Sequence, residues 1–186
     1  MARSEATRQR IALIRGINVG RAKRVAMADL RALVESLGYS DARTLLNSGN
    51  VVFTAPGTTR VDDAARIERA MPVKLGVAAR VFVLTAAELA KIVADNPLLK
   101  IARDPSRLFI TVLARATDRK HLQPLAREDW APGVLALGVR VAYLWCPEGQ
   151  LESRMALAVG RALGDAGTVR NWSTILKLQA LVDARG

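Results

Sequence analysis

The sequence predicts an α+β protein of two tandem βαββαβ halves, ferredoxin-like in pattern, with antiparallel sheets, helices on one face and an extra C-terminal helix. Three observations carry this prediction. Short apolar runs of strand length alternate with amphipathic segments of helical period. In each half two strand runs stand back to back across a turn. The order strand, helix, strand, strand, helix, strand is met twice within 186 residues.

Ile11-Ala12-Leu13-Ile14 is a continuous apolar run, as a buried strand requires, and the Gly-punctuated loop Arg15 to Arg24 ends it. Met27, Leu30, Leu33, Val34 and Leu37 then recur at helical spacing up to Gly38, which suits the position just past a helix end. Ala42 to Leu46 and Val51 to Thr54 read as a hairpin about Asn47-Ser48-Gly49-Asn50, residues that tolerate positive φ. A second helix over Val61 to Met71 carries Val61, Ala64, Ile67 and Met71 on one side, and Pro72 is expected to kink or end it. Arg80 to Leu84 completes the first half as a strand.

Thr85-Ala86-Ala87-Glu88 is a capping box, and the helix it opens runs to the stop Asn96-Pro97. The second half repeats the order with a strand Leu108 to Leu113, a helix from about Asp118 to Arg127, and strands Val134 to Leu137 and Val139 to Leu144. A helix Arg154 to Leu163, stopped by Gly164, and a short strand near Thr168 and Val169 follow. Ile175, Leu178 and Leu181 or Val182 then mark a covering helix from about Thr174. The expected organisation is an N-terminal subdomain over 1–84, a linking helix and loop over 85–105, and a C-terminal subdomain with the extra helix over 106–186.

An apolar fraction of 51% excludes a disordered chain, and one cysteine, Cys146, allows no internal disulfide, so a reducing, cytoplasmic setting is expected. Neither a signal peptide nor a membrane span is expected: Met1 to Arg10 is polar and basic with no long apolar run behind it. The net charge of +11 favours an anionic partner, whether a phosphorylated small molecule or nucleic acid. Of the 28 basic residues 22 are Arg in an Ala-rich chain, which biased genome composition also produces. Clustering separates the two readings. Arg15, Arg21, Lys23 and Arg24 fall in one loop, whereas Arg60, Arg66 and Arg69 read as a solvated helix face.

Three strings, Ala12-Leu13-Ile14-Arg15-Gly16-Ile17-Asn18-Val19-Gly20, Ser48-Gly49-Asn50-Val51-Val52-Phe53 and Thr168-Val169-Arg170-Asn171-Trp172-Ser173-Thr174, resemble the bacterial domain-of-unknown-function family 1697. Met27-Ala28-Asp29-Leu30-Arg31 and the Asn96-Pro97 stop extend the resemblance over nearly the whole chain. It implies two ferredoxin-like subdomains and supplies no reaction. Arg21 stands where that family often has a second glycine, and Ala26 where it often has proline.

The Arg15 loop lies between a strand and a helix, where backbone amides cradle anions; Arg15, Gly16, Asn18, Gly20, Lys23 and Arg24 are the candidate ligand residues there. A tight structural connection with a basic tip is the competing reading. Ser48 and Asn50 in the hairpin, and Arg170, Asn171 and Trp172 before a helix whose expected N-cap is Ser173, complete the candidate set. Trp172 equally suits a core anchor. The loop matches neither GxxxxGK[ST] nor GxGxxG, and no cofactor is expected.

No catalytic residue is assignable. His121 is the lone histidine, with no Ser or Cys motif to serve, and Cys146 reads as packing. Asp62-Asp63 and Glu128-Asp129 are adjacent pairs whose side chains diverge, so no metal site is expected. With eight aromatics and no [KR]-G-[FY]-[GA]-F-V-x-[FY] run, RNA reading by base stacking is disfavoured. Three functions stay open: an anion-binding protein, an enzyme on a small phosphorylated or carboxylated substrate in a cleft between the halves, and a structural or interaction module without ligand. The oligomeric state is not legible in the sequence.

Overall fold

The computed structural model describes residues 8–20, 23–56 and 62–184; the N-terminal tail before Arg8, Arg21, Arg60 and Val61 lie outside them. The chain divides into two units. The first takes the chain up to Ala90 and again from Lys177, and the second is Lys91–Leu176, so each division falls inside a helix.

The first unit runs β1 (Gln9–Ile14), α1 (Met27–Ser36), β2 (Ser40–Leu45), β3 (Asn50–Thr54), α2 (Asp63–Leu75) and β4 (Val81–Thr85). Its sheet has the order β2-β3-β1-β4, every neighbouring pair antiparallel. On one face Ala12, Ile14, Val51, Phe53 and Val81 pack with Leu30, Leu33 and Val34 of α1 and with Ile67 and Met71 of α2. Ile11, Leu13, Val52, Phe82 and Leu84, on the other face, are equally shut off from solvent. A run of four apolar residues in β1 is therefore what its surroundings demand. Helix α1 ends where expected, with Gly38 at φ 84° donating its N–H to Glu35 O.

Two local expectations change. The hairpin's positive φ angles fall on Leu46 (57°) and Gly49 (75°), and Asn50 is a fully buried residue of β3. Pro72 does not end α2, which continues to Leu75 and stops at left-handed Gly76, whose N–H bonds Pro72 O. The ring is exposed and within the last turn, where a missing N–H disturbs little of the helix that follows.

The helix α3 (Ala86–Ala94) opens with the capping box: Glu88 N–H donates to Thr85 Oγ1 at 3.0 Å, and Thr85 N–H to Glu88 Oε2 at 2.8 Å. The second unit then forms β5 (Leu108–Leu113), β6 (Val134–Leu137), β7 (Val141–Trp145), α4 (Arg154–Leu163) and β8 (Gly167–Asn171), and α5 (Trp172–Asp183) follows. The sheet order is β6-β7-β5-β8, again antiparallel throughout. Leu113, Ala142, Leu144 and Cys146 pack with Met155, Val159 and Leu163 of α4 and with Leu122.

The expected helix from Asp118 to Arg127 is instead two 3₁₀ turns, Ala116–His121 and Leu125–Arg127. Pro124 explains the break, because it lacks an N–H and steers Gln123 away from α geometry.

Candidate functional site

In the first unit the Arg15 loop and the hairpin turn lock together. Ile17 and Val25 are buried and peg both ends of the loop into the core. Between them Asn18, at φ 57°, turns its carboxamide back onto Val25, donating to Val25 O at 2.9 Å and accepting from Val25 N–H at 2.9 Å. The side chain thus imitates a paired strand residue. The same Nδ2 donates to Asn47 O at 2.8 Å, and Ile14 N–H reaches Gly49 O at 2.8 Å, so loop and turn form one body. Gly49 has no alternative here: a Cβ would lie 2.8 Å from both Ile14 Cβ and Ile17 Cδ1.

Of the four non-glycine residues with positive φ among the described residues, Asn18, Lys23 and Leu46 belong to this body. Strained backbone persists only where surroundings over-determine it, and such positions gather at functional sites. Gly16, Val19, Gly20, Lys23, Arg24, Leu46 and Ser48 stand exposed on its outside, and Arg15 is half-buried. From Arg8 to Ala28 the chain carries six basic residues and no acidic one. That stretch runs straight into α1, whose N-cap is Ala26, a residue with no side chain to satisfy the first-turn amides. Beside it opens a cleft of about 570 Å³, with Arg24, Asp29, Ser36 and Lys74 as its polar lining.

The other candidates are placed differently. Asn50 is an internal bracket, its Nδ2 donating to Leu45 O and Ser48 Oγ at 2.9 Å each. In the second unit Arg170 is buried, and its bonds include Nη1 to Thr168 Oγ1 at 3.1 Å and to Val169 O at 2.7 Å. Burial lowers its pKa to about 10. Asn171, and not Ser173, caps α5, with Oδ1 accepting from Thr174 N–H at 2.9 Å and Thr174 Oγ1 at 2.8 Å. Trp172 is buried in the first turn behind it. His121 is exposed in a 3₁₀ turn; Cys146 is buried, which pushes its thiol pKa up.

One group of polar residues was not legible as a unit. Arg66, expected on a solvated face, donates to Leu37 O at 2.7 Å and lies 5.1 Å from the ring centre of Tyr39. The Tyr39 hydroxyl donates to Asp63 Oδ1 at 2.7 Å, and Asp63 Oδ2 lies 3.5 Å from Arg10 Nε. Burial and the Asp63 carboxylate raise the pKa of Tyr39. Asp62, meanwhile, caps α2 through Ala65 N–H, so the adjacent carboxylates do diverge. Nothing in sequence spacing connects residues on β1, α2 and the α1–β2 turn.

The chain is thus an α+β protein with two four-stranded antiparallel sheets and a loop-and-turn body at one end of the first. No helix among the described residues is long and apolar enough to cross a membrane. The model of the family described as "Protein of unknown function (DUF1697)" matches residues 7–143, and the chain belongs to that family. The Arg170 string lies beyond the matched residues. The chain is similar in fold to the conserved bacterial protein SP0830 from Streptococcus pneumoniae, with a TM-score of 0.77 and 21% identity over 94% of this chain and 98% of that one. No curated protein matches it.

Proposed function

We propose that the protein binds a phosphate-bearing anion on the outer surface of the Arg15 loop, and that each unit is a ferredoxin-like module, as the strand order shared by the two sheets supports. The observation that carries the ligand reading is one of placement. A stretch whose sequence carries six cations and no acid leads into an α1 N-terminus without a side-chain cap, with Lys23 and Arg24 exposed beside Val25, which Asn18 ties to the hairpin turn. Backbone amides and cations there act on the same ligand charge. Ser48 and the exposed glycines Gly16 and Gly20 let an anion approach closely. In this reading Arg170, Asn171 and Trp172 serve the β8–α5 junction, and the protein works in the cytoplasm.

Thermal shift against inorganic phosphate, nucleotides, sugar phosphates and short oligonucleotides tests the proposal, because a ligand of the native state raises its apparent stability. At least one phosphate compound is expected to stabilise the wild type and to lose that effect in the Lys23→Glu, Arg24→Glu variant. Binding should weaken steadily with salt. A wild type that none of these compounds stabilises, or an undiminished effect in the double variant, sinks the reading.

A further inference from the structure

The two sheets have four edge strands, and three of them are blunted. An open edge is a template for pairing with another chain, and natural sheets occupy or distort it. Strand β2 is broken by a bulge between Ser40 and Arg43, with Asp41 at φ 52° and the exposed charges of Asp41 and Arg43 beside it. On β4 the outward N–H groups of Val81 and Thr85 are taken by the carboxylates of Glu68 (3.0 Å) and Glu88 (2.8 Å). On β8 the outward carbonyl of Val169 accepts from the guanidinium of Arg170 at 2.7 Å.

Strand β6 carries none of these devices. It is Val-Leu-Ala-Leu, with no charge, proline or bulge. Gly138 N–H bonds Val141 O, and hydrogen-bonded pairs alternate along an antiparallel ladder, so Ala136 and Val134 bond inward to Tyr143 and Trp145. The N–H and C=O groups of Leu135 and Leu137 therefore face outward, and among the described residues they have no hydrogen-bond partner. Their side chains pack into the second unit's core, which fixes this orientation.

We propose that β6 pairs with β6 of a second copy of the chain about a two-fold axis through Ala136. Antiparallel pairing that uses the outward groups of both leucines sets Leu135 against Leu137 of the copy, Leu137 against its Leu135, and Ala136 against itself. This register also covers an exposed valine. Val134, 36% exposed, falls opposite Gly138 of the copy. Val134 of each copy meets a residue with no side chain in the other, as an isologous contact requires. The product is one continuous eight-stranded antiparallel sheet across two second units.

Sedimentation velocity of the full chain over a micromolar concentration series, with two variants, tests this. The wild type is expected to show a concentration-dependent dimer. Ala136→Lys places like charges opposite each other across the axis and is expected to weaken the dimer by about tenfold or more. Because that variant can disturb folding, Ala136→Cys gives a second readout. Facing residues in a non-hydrogen-bonded antiparallel pair have Cα atoms about 4.5 Å apart, within disulfide reach. Mild oxidation should therefore convert the Ala136→Cys variant to a covalent dimer on non-reducing gels, while the wild type, whose Cys146 is buried, stays uncrosslinked. A wild type that is monomeric at every concentration overturns the proposal, whatever the Ala136→Cys variant does. So does a dimer whose affinity a folded Ala136→Lys variant leaves unchanged, or one that the Ala136→Cys substitution fails to crosslink.

Discussion

The side-chain amide of Asn18 donates to the carbonyl of Asn47 at 2.8 Å, across 29 residues of chain, while the same carboxamide holds Val25 by two further bonds. One residue therefore sets the position of the basic loop relative to the hairpin. Asn18→Ala is expected to cost about 2–3 kcal/mol, from hydrogen bonds of about 1 kcal/mol each and a left-handed backbone that alanine resists. Asn18→Gly keeps the backbone permissive and loses only the bonds, so it should fall between alanine and wild type in urea unfolding. Equal stability of all three would refute the clamp.

Gly49→Ala tests the contact beneath the turn. With φ at 75° and the new Cβ only 2.8 Å from Ile14 Cβ and Ile17 Cδ1, the turn or the loop must shift. A loss of about 2 kcal/mol or more is expected by chemical denaturation, from the backbone cost together with overpacking. Gly16→Ala faces no steric neighbour within 4 Å, so it should lose only the share due to its positive φ.

The cap of α5 separates two neighbouring residues. Asn171→Ala should destabilise by about 1 kcal/mol, and Asn171→Asp or Asn171→Ser should restore most of it. Ser173→Ala should stay within about 0.5 kcal/mol of wild type. The reverse ranking in paired thermal melts would move the cap to Ser173.

Alkaline pH addresses the only two tyrosines in the chain. Burial, with the Asp95 charge adding to it, pushes Tyr143 up to about 12, and its hydroxyl donates to Ile92 O at 3.0 Å. Tyr39 is raised as well, by burial and Asp63. A raised tyrosine binds its proton in the folded state at a pH where the unfolded chain has lost it, so unfolding free energy must fall as pH rises. The fall should begin near the unfolded value of about 10 and, for Tyr143, continue to about 12. Tyrosinate absorbance should remain low in the native protein through the first part of that window and appear together with unfolding. Two tyrosines titrating near 10 in a folded protein would contradict the burial argument.

Much of the local structure is legible because burial imposes its period on the chain. The run Ile11 to Ile14 marks a strand shut in on both faces, and Gly38 and the Thr85–Glu88 capping box mark helix ends by their own chemistry. Where local signals compete, spacing misleads: Pro72 signals a helix end although the last turn of α2 runs on past it, and apolar spacing across Pro124 suggests one helix where two 3₁₀ turns form. In the Arg15 loop, sequence points to Asn18 without its partners, since Val25 and Asn47 meet it only after β1 and β3 pair.

By itself, then, the sequence determined the α+β class, the alternation of elements and the clustering of positive charge ahead of α1, because each depends on residues a few positions apart. Tertiary structure alone decided which polar side chains became brackets: Asn18 on Asn47, Tyr39 between Asp63 and Arg66, and Arg170 along its own strand edge. The reason is physical. A hydrophobic residue needs only an interior, which periodicity announces, whereas a hydrogen bond needs one partner at one distance, which exists only once the strands have taken their order.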